Sequence, residues 1–423
     1  MQTCIRIIYS MVLLIAAPFL LFGLLKTKQG KPSIGKRWNE LFGKTPLINN
    51  SAKDVVWIHA VSVGETIAVT PFIKALKKRS PETQVILTTT TTTGAKQAES
   101  LSELVTHRYM PIDFPFAVKG FLEAVQPNKL IIVETELWPN TIHTVAKFGV
   151  PIYVLNARLS EKSFKGYKRV QPLFDTIAPC LSQILCLHQD DAVRFKKLGV
   201  NEAKISVTGS IKFDISVSSE VTDKAANLKH SLGKNRPIWI AASTHQGEDE
   251  LILHAHKKVL EKEPSALLIL VPRHPERFNR VFSLCDDQSL VCSRRSTNDL
   301  VGENTQVYLG DTMGELMVML GASDVCFIGG SLVGNKVGGH NLLEPAALGK
   351  PTIIGPSYFN FTDITNQLTK AGANIICSET ELSDHVVKLL SSPAKRHKMG
   401  EKALTVVDAN RGALNKSLDL ILD

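Results

Sequence analysis

The 423-residue chain has little of what marks several common protein classes. Its seven cysteines, at 4, 180, 186, 285, 292, 326 and 377, are odd in number and form no C-x-x-C pair. That argues against a disulfide framework or a zinc ribbon, and runs such as Ile184-Leu185-Cys186-Leu187 read as small core thiols in a reducing compartment. The twelve histidines are scattered, and His254 with His256 would point to different sides of a helix, so no metal cage is expected. There is no G-x-x-x-x-G-K-[ST], no G-x-G-x-x-G and no D-x-D triplet. A P-loop enzyme, a nicotinamide dehydrogenase and a metal-bridged diphosphate site thus lose their main support, and catalysis without a metal or resident cofactor is the default.

Charge of one sign is scarce over most of the chain. The formal net charge is +9, yet residues 1–50 hold seven basic side chains against the single Glu40, which leaves the other 373 residues nearly neutral. Nucleic acid is not an expected partner. Long hydrophobic runs are missing too, save one. Residues 7–25 contain no charge, and as a helix they would reach about 28 Å, close to the ~30 Å hydrocarbon core. Lys26, Lys28, Lys31, Lys36 and Arg37 follow directly and outweigh Arg6, which predicts a membrane anchor with the body on the cytoplasmic side. A cleaved signal peptide is the main alternative, disfavoured by the length of the run and the lack of an A-x-A-like site. Pro18 leaves open whether the segment spans the bilayer or only embeds.

What is present is ordinary globular composition, 44% hydrophobic and 21% charged, in a chain long enough for two or three domains. From residue 54 onward short apolar runs alternate with amphipathic stretches, the pattern of a parallel sheet with crossover helices. Strands are predicted at 55–61, 84–89, 129–134, 151–156, 183–187 and 204–208, then at 237–242, 266–271, 306–309, 324–328 and 351–354. The polar stretch 216–236 separates the series. The expected organisation is an anchor and basic flank over 1–30, an α/β domain over 31–215, a linker over 216–236 holding at most one helix, and a second α/β domain over 237–423. Doubly wound sheets bind ligands beyond the carboxyl ends of their strands, so two such domains facing a cleft would place chemistry in those loops.

Polar residues do collect there. Glu65 opens the first helix, where the helix terminus would keep a carboxylate ionised near pH 7 and able to take a proton; a plain helix-start glutamate is the alternative. Glu134 and Glu136 leave a buried strand, where one could serve chemistry and the other cap the helix near Asn140. Arg158 and Lys212 each end a strand and suit anionic oxygens, or a surface ion pair. In the second half Ser243-Thr244-His245, the run from Pro272 and Arg273 to Arg277, the run Met313-Gly314-Glu315 opening a helix, and the run from Gly338 to Pro345 mark the nucleotide side, with Glu344 placed to accept from ribose hydroxyls.

Taken together, HAVSVGET (59–66), ETELWPN (134–140), NARLS (156–160), TGSIKFD (208–214), STHQGE (243–248), VPRHPERF (271–278), GDTMGEL (310–316) and GGHNLLEP (338–345) resemble the Kdo transferases over nearly the whole chain. These attach 3-deoxy-D-manno-octulosonic acid (Kdo) from CMP-Kdo to the lipid A precursor at the inner membrane. The resemblance implies a GT-B fold of two Rossmann-like domains, acceptor in the first and donor in the second, and metal-independent inversion. It implies Glu65 as proton acceptor and Glu134 with Lys212 in transition-state stabilisation. CMP would meet Pro272, Arg273, Met313, Gly314, Glu315, Asn341, Leu342, Leu343 and Glu344. One departure is the run Gly334-Asn335-Lys336-Val337, longer than the family pattern, which puts the loop shape beside the donor in doubt. A soluble-type GT-B epimerase of nucleotide sugars and a membrane-tethered nucleotide-binding protein are the competing readings.

Overall fold

The computed structural model describes residues 2–25, 34–48, 54–215, 217–233 and 235–422. It divides into two compact units, Met1–Asp214 with Asn410–Asp423, and Ile215–Ala409. Each is built on one parallel sheet of seven strands.

In the first unit the strands are β1 (Val55–His59), β2 (Gln84–Thr89), β3 (Thr106–Tyr109), β4 (Lys129–Val133), β5 (Ile152–Ala157), β6 (Gln183–Cys186) and β7 (Ile205–Val207). Their order is β3-β2-β1-β4-β5-β6-β7. β1 is buried along its whole length because helices cover both faces, so its pattern is a continuous apolar run with no polar alternation. Val55 and Trp57 enter one core with Phe121 and Leu130, while Val56 and Ile58 enter the opposite core with Phe72 and Leu76. The chain order reverses between β1 and β4, the topological switch point where an open α/β sheet leaves a crevice.

The second unit carries β8 (Ile238–Thr244), β9 (Leu267–Pro272), β10 (Cys292–Arg294), β11 (Val307–Leu309), β12 (Val325–Ile328), β13 (Thr352–Ile354) and β14 (Asn374–Ile376), ordered β10-β11-β9-β8-β12-β13-β14. Its switch point lies between β8 and β12. The close approach of their ends requires Gly329, since a Cβ there would lie 2.7 Å from the Ser243 carbonyl oxygen.

The two-sheet α/β architecture matches the sequence pattern, with three strands added at β3, β10 and β14. These are short, three or four residues, and stand at or next to sheet edges, where apolar periodicity is weakest. Two domain assignments need correcting. Residues 410–423 pack with the first unit: Ala413, Leu418 and Ile421 enter the core of Phe72 and Leu76, and the Asp214 carboxylate accepts the Gly412 and Leu414 N–H groups at 2.7 and 2.6 Å. The stretch 216–236 is mostly the helix Ser219–Gly233, which buries Ala225, Leu228 and Leu232 within the second unit; its many polar residues are simply the exposed face.

The N-terminal helix Gln2–Leu25 packs beside helices Pro139–Lys147 and Gln171–Ile177, with Tyr9 Oη donating to Asp113 Oδ2 at 2.8 Å. Ile7, Ile8, Met11, Val12, Leu14 and Ile15 remain exposed, Ile15 to 74%. Lys26, Lys28 and Lys31 lie outside the described residues. Among the described residues no helix is long and apolar enough to cross a membrane.

Candidate active site

At the first switch point, β1 leads through Ala60 and Val61 to the N-cap Ser62 of helix Val63–Arg79. Glu65, 8% exposed, folds back over this turn. Its Oε2 accepts the Val61 N–H at 2.8 Å, its Oε1 accepts the Ser62 hydroxyl at 3.0 Å, and its own N–H donates to Ser62 Oγ at 3.4 Å, a reciprocal arrangement that satisfies one free amide of the first turn and the amide just ahead of the cap. The expected full ionisation near pH 7 needs correcting. Burial, aided by the charges of Glu134 and Glu136, outweighs the Val61 and Ser62 hydrogen bonds and pushes the carboxyl up to about 7. A group so poised is divided between acid and base forms at neutral pH, the condition under which a general base works best.

Glu134 follows β4 directly. Its backbone is held left-handed, at φ 61°, by the N–H bond to the Leu155 carbonyl at 2.8 Å. A non-glycine residue in that region costs of order 1–3 kcal/mol and persists only where its surroundings enforce it. Its carboxylate meets Lys212 Nζ at 3.2 Å, both side chains being 35% exposed. The sequence separation of 78 is closed by a short turn, Ile211–Phe213, after β7. Glu65, Glu134 and Lys212 are therefore gathered at the ends of β1, β4 and β7.

The surroundings differ from expectation in places. Glu136 accepts from Trp138 Nε1 at 3.2 Å, and neither Glu134 nor Glu136 caps the following helix. That role falls to Asp113, whose Oδ1 accepts the Thr141 N–H at 2.6 Å and whose Oδ2 accepts the Asn140 N–H at 3.3 Å. Asp113 comes from a loop 27 residues upstream, so local spacing could not reveal it. Asn156, also left-handed at φ 58° and 1% exposed, has both amide atoms without a hydrogen-bond partner among the described residues. Arg158 offers its carbonyl to Thr135 Oγ1.

At the second switch point, the His245 N–H donates to Glu248 Oε2 at 2.9 Å, and the same buried carboxylate accepts the Gly330, Ser331 and Leu332 N–H groups at 2.6, 2.9 and 2.9 Å. One side chain thus ties the loop after β8 to the loop after β12. Pro272 ends β9 and is buried; Arg273 follows, its N–H bonded to the Thr244 carbonyl at 3.0 Å and its guanidinium exposed. Burial raises Glu344, against the pull of nearby Arg273. Asn341 Oδ1 accepts the Leu343 N–H at 3.1 Å, and Leu342 and Leu343 turn their side chains into the core, leaving only backbone to offer a ligand.

Met313 is exposed and Gly314 has φ 82°, but the helix expected to open there begins at Leu316 and is seven residues long. Glu315 is engaged by Arg295 through two hydrogen bonds of 3.1 and 2.7 Å, which hold its carboxyl below the usual range. The loop 334–337 forms one tight turn pinned by Ser357 Oγ on the Gly334 carbonyl and Asn360 Nδ2 on the Val337 carbonyl, at 2.6 and 2.5 Å. Sequence reasoning passed over the contact between His245 and His340, whose Nε2 atoms are 2.8 Å apart. The two strings STHQGE and GGHNLLEP each carried one of them, but nothing local said they meet.

Residues 36–215 match the family described as 3-deoxy-D-manno-octulosonic-acid transferase, and residues 235–406 match glycosyl transferases group 1. The chain is 41% identical over 421 residues to a 3-deoxy-D-manno-octulosonic acid transferase of Haemophilus influenzae, covering 98% of each chain. It is 34% identical over 383 residues to that of Bordetella pertussis, covering 87% of each. A UDP-GlcNAc 2-epimerase from Neisseria meningitidis, solved with UDP-GlcNAc, is similar in fold with TM-score 0.55, covering 87% of this chain and 99% of that one at 15% identity. The last likeness concerns architecture alone, the Rossmann-like pair of sheets common to GT-B enzymes, whereas the first two extend through the strings that carry Glu65, Glu134, Lys212 and Arg273. The chain belongs to the 3-deoxy-D-manno-octulosonic acid transferase family and is a glycosyltransferase.

Proposed function

We propose that the protein transfers Kdo from CMP-Kdo to the lipid A precursor in lipopolysaccharide biosynthesis, in a single displacement that inverts the anomeric carbon. The observation that carries this reading is a buried Glu65 tuned to about 7 and set beside the Glu134–Lys212 pair at a topological switch point. Glu65 takes the proton of the acceptor hydroxyl as its oxygen attacks the anomeric carbon from the face opposite the phosphate. Lys212, oriented by Glu134, stabilises charge in the transition state, and Arg273 of the second unit contacts CMP. General-base assistance contributes ~10²- to 10⁴-fold and electrostatic donors a similar or larger share. The donor is CMP-Kdo itself, and no resident cofactor or metal enters the reading, so dialysis against a chelator leaves the rate unchanged.

The body works at the cytoplasmic side of the inner membrane. The exposed face of Ile7, Ile8, Met11, Val12, Leu14 and Ile15 supports embedding in the lipid interface, an apolar helical face of the kind that lies within a leaflet, and the basic flank would add attraction to anionic headgroups. Incubating the full chain with CMP-Kdo and lipid A precursor tests the function directly. A glycolipid mass increase is expected, lost in Glu65→Gln while CMP still binds; CMP-Kdo consumption without glycolipid would support an epimerase-like or hydrolytic enzyme instead.

A further inference from the structure

His245 follows β8 and His340 follows β12, so the two flank the second switch point. Their rings are nearly parallel, at 12°, and meet edge to edge, with centroids 5.0 Å apart and Nε2 atoms 2.8 Å from each other. The His274 ring stands edge-on to His245 at 5.2 Å. Gly330 permits this crowding, because a Cβ there would sit 3.0 Å from His340 Cδ2.

A hydrogen bond between two Nε2 atoms needs one proton between them, no more and no fewer. With both rings neutral, the acceptor ring must carry its proton on Nδ1, and the donor ring presents a bare Nδ1. One added proton fits on that bare nitrogen with the bond intact; a second would set proton against proton. The pair is thus a device of two states, presenting one donor and one acceptor, or two donors.

The charged groups facing it favour the first state when nothing is bound. Burial above all, with smaller contributions from His274, Arg277 and Arg273 of the loop after β9, pushes His245 down to about 4, and burial with His245, Arg273 and His274 pushes His340 down to about 3. The carboxylates nearby do not offset this: Glu248 is taken up by four N–H groups, Asp249 by Arg277, and Glu344 faces Arg273. Among the described residues no carboxylate bonds either ring, and with the exposed Arg273 close by the pair is suited to receive an anion.

We propose that His245 and His340 form an anion receptor in the second unit, a pair that takes up one proton together with an anionic group of the nucleotide-linked donor. This rests on the reading of the second unit as the donor side. The anion is the phosphate or the sugar carboxylate, and the two are separable because CMP carries only the first.

The sign follows from the proton count. If the free pair is neutral and the bound pair carries one proton more, affinity falls as pH rises from the free pair's pKa through that of the bound pair and levels off beyond it. The test is the KM for CMP-Kdo and the Kd for CMP, measured on the full chain from about pH 7.5, above the second ionisation of a phosphate ester near 6, to about pH 9. The KM is expected to rise about fivefold over this interval, and His245→Asn and His340→Asn each raise it about tenfold at the lower pH, abolish its pH dependence and leave kcat within about threefold. The double variant is expected to be no worse than either single one, since both remove the same bond. A parallel slope in the CMP Kd assigns the pair to the phosphate, and a flat one to the carboxylate. A pH-independent KM in the unsubstituted protein, or a slope that survives in both variants, overturns the proposal. Failure of CMP and CMP-Kdo to bind at all overturns instead the donor-side reading beneath it.

Discussion

A carboxylate that helps to cap its own helix while buried beside a second carboxylate has its proton affinity set by opposing effects. For Glu65 burial prevails, and the pH dependence follows. The base form is lost as pH falls through about 7, so kcat is expected to drop roughly tenfold per unit below that and to level off above it. Glu65→Gln should cost at least about a hundredfold in kcat at pH 8. Stability runs the other way. Because the folded pKa lies above the unfolded one, the folded state holds the proton more tightly, and stability declines as pH rises from about 4.5 to about 7. The shift is worth on the order of 3 kcal/mol. Thermal unfolding of the unsubstituted protein should therefore lose ground to Glu65→Gln between pH 4.5 and 7, and a parallel response in the two proteins would remove the buried-carboxylate account. The position of Glu65 at a strand-to-helix turn was legible in HAVSVGET. Its raised pKa was not, since the burial of the side chain and the charge of Glu134 are tertiary facts.

At the scale of elements, strand ends decide what meets. The helix Pro139–Lys147 begins on a proline and lacks a cap of its own, and Asp113 supplies one while also accepting from Tyr9 of the N-terminal helix. Asp113→Ala should lower stability by about 1–2 kcal/mol, the worth of an N-cap, and loosen the N-terminal helix, seen as faster amide exchange at residues 4–18 than at 139–147. The exposed face of that helix makes a separate prediction. Ile8→Glu with Ile15→Glu should shift the full chain from floating with anionic vesicles to the soluble fraction without altering CMP binding, and unchanged flotation would mean that these side chains are not what enters lipid. The apolar run was plain in the sequence; that one of its faces packs on protein was not, because an uninterrupted run carries no periodicity from which to choose a side. Likewise Leu342 and Leu343 stand in a string associated with CMP, yet their side chains belong to the core, and only the backbone that Asn341 organises could face a ligand.

Over the whole molecule, the alternation of runs sufficed for two parallel sheets, since strands covered on both faces leave a strong apolar mark. Membership of the final helix left no such mark. Ala413–Leu422 is amphipathic and would pack against either sheet as far as its pattern goes; what selects the first unit is its contact with Phe72 and Leu76 and the grip of Asp214 on its amino end. Ending the chain after Ala409 removes Leu418 and Ile421 from that core, at roughly 2 kcal/mol each. Amide protection should fall in β1 and β2 while β8 and β9 keep theirs, and equal loss in both sheets would contradict the division into units.

The same return of the chain orders events on the ribosome. Residues 1–214 emerge first, but the helix that closes their core is made only after all 195 residues of the second unit have been synthesised. Until then Phe72 and Leu76 lack their cover, so the nascent amino-terminal half waits, partly open, for residues 410–423.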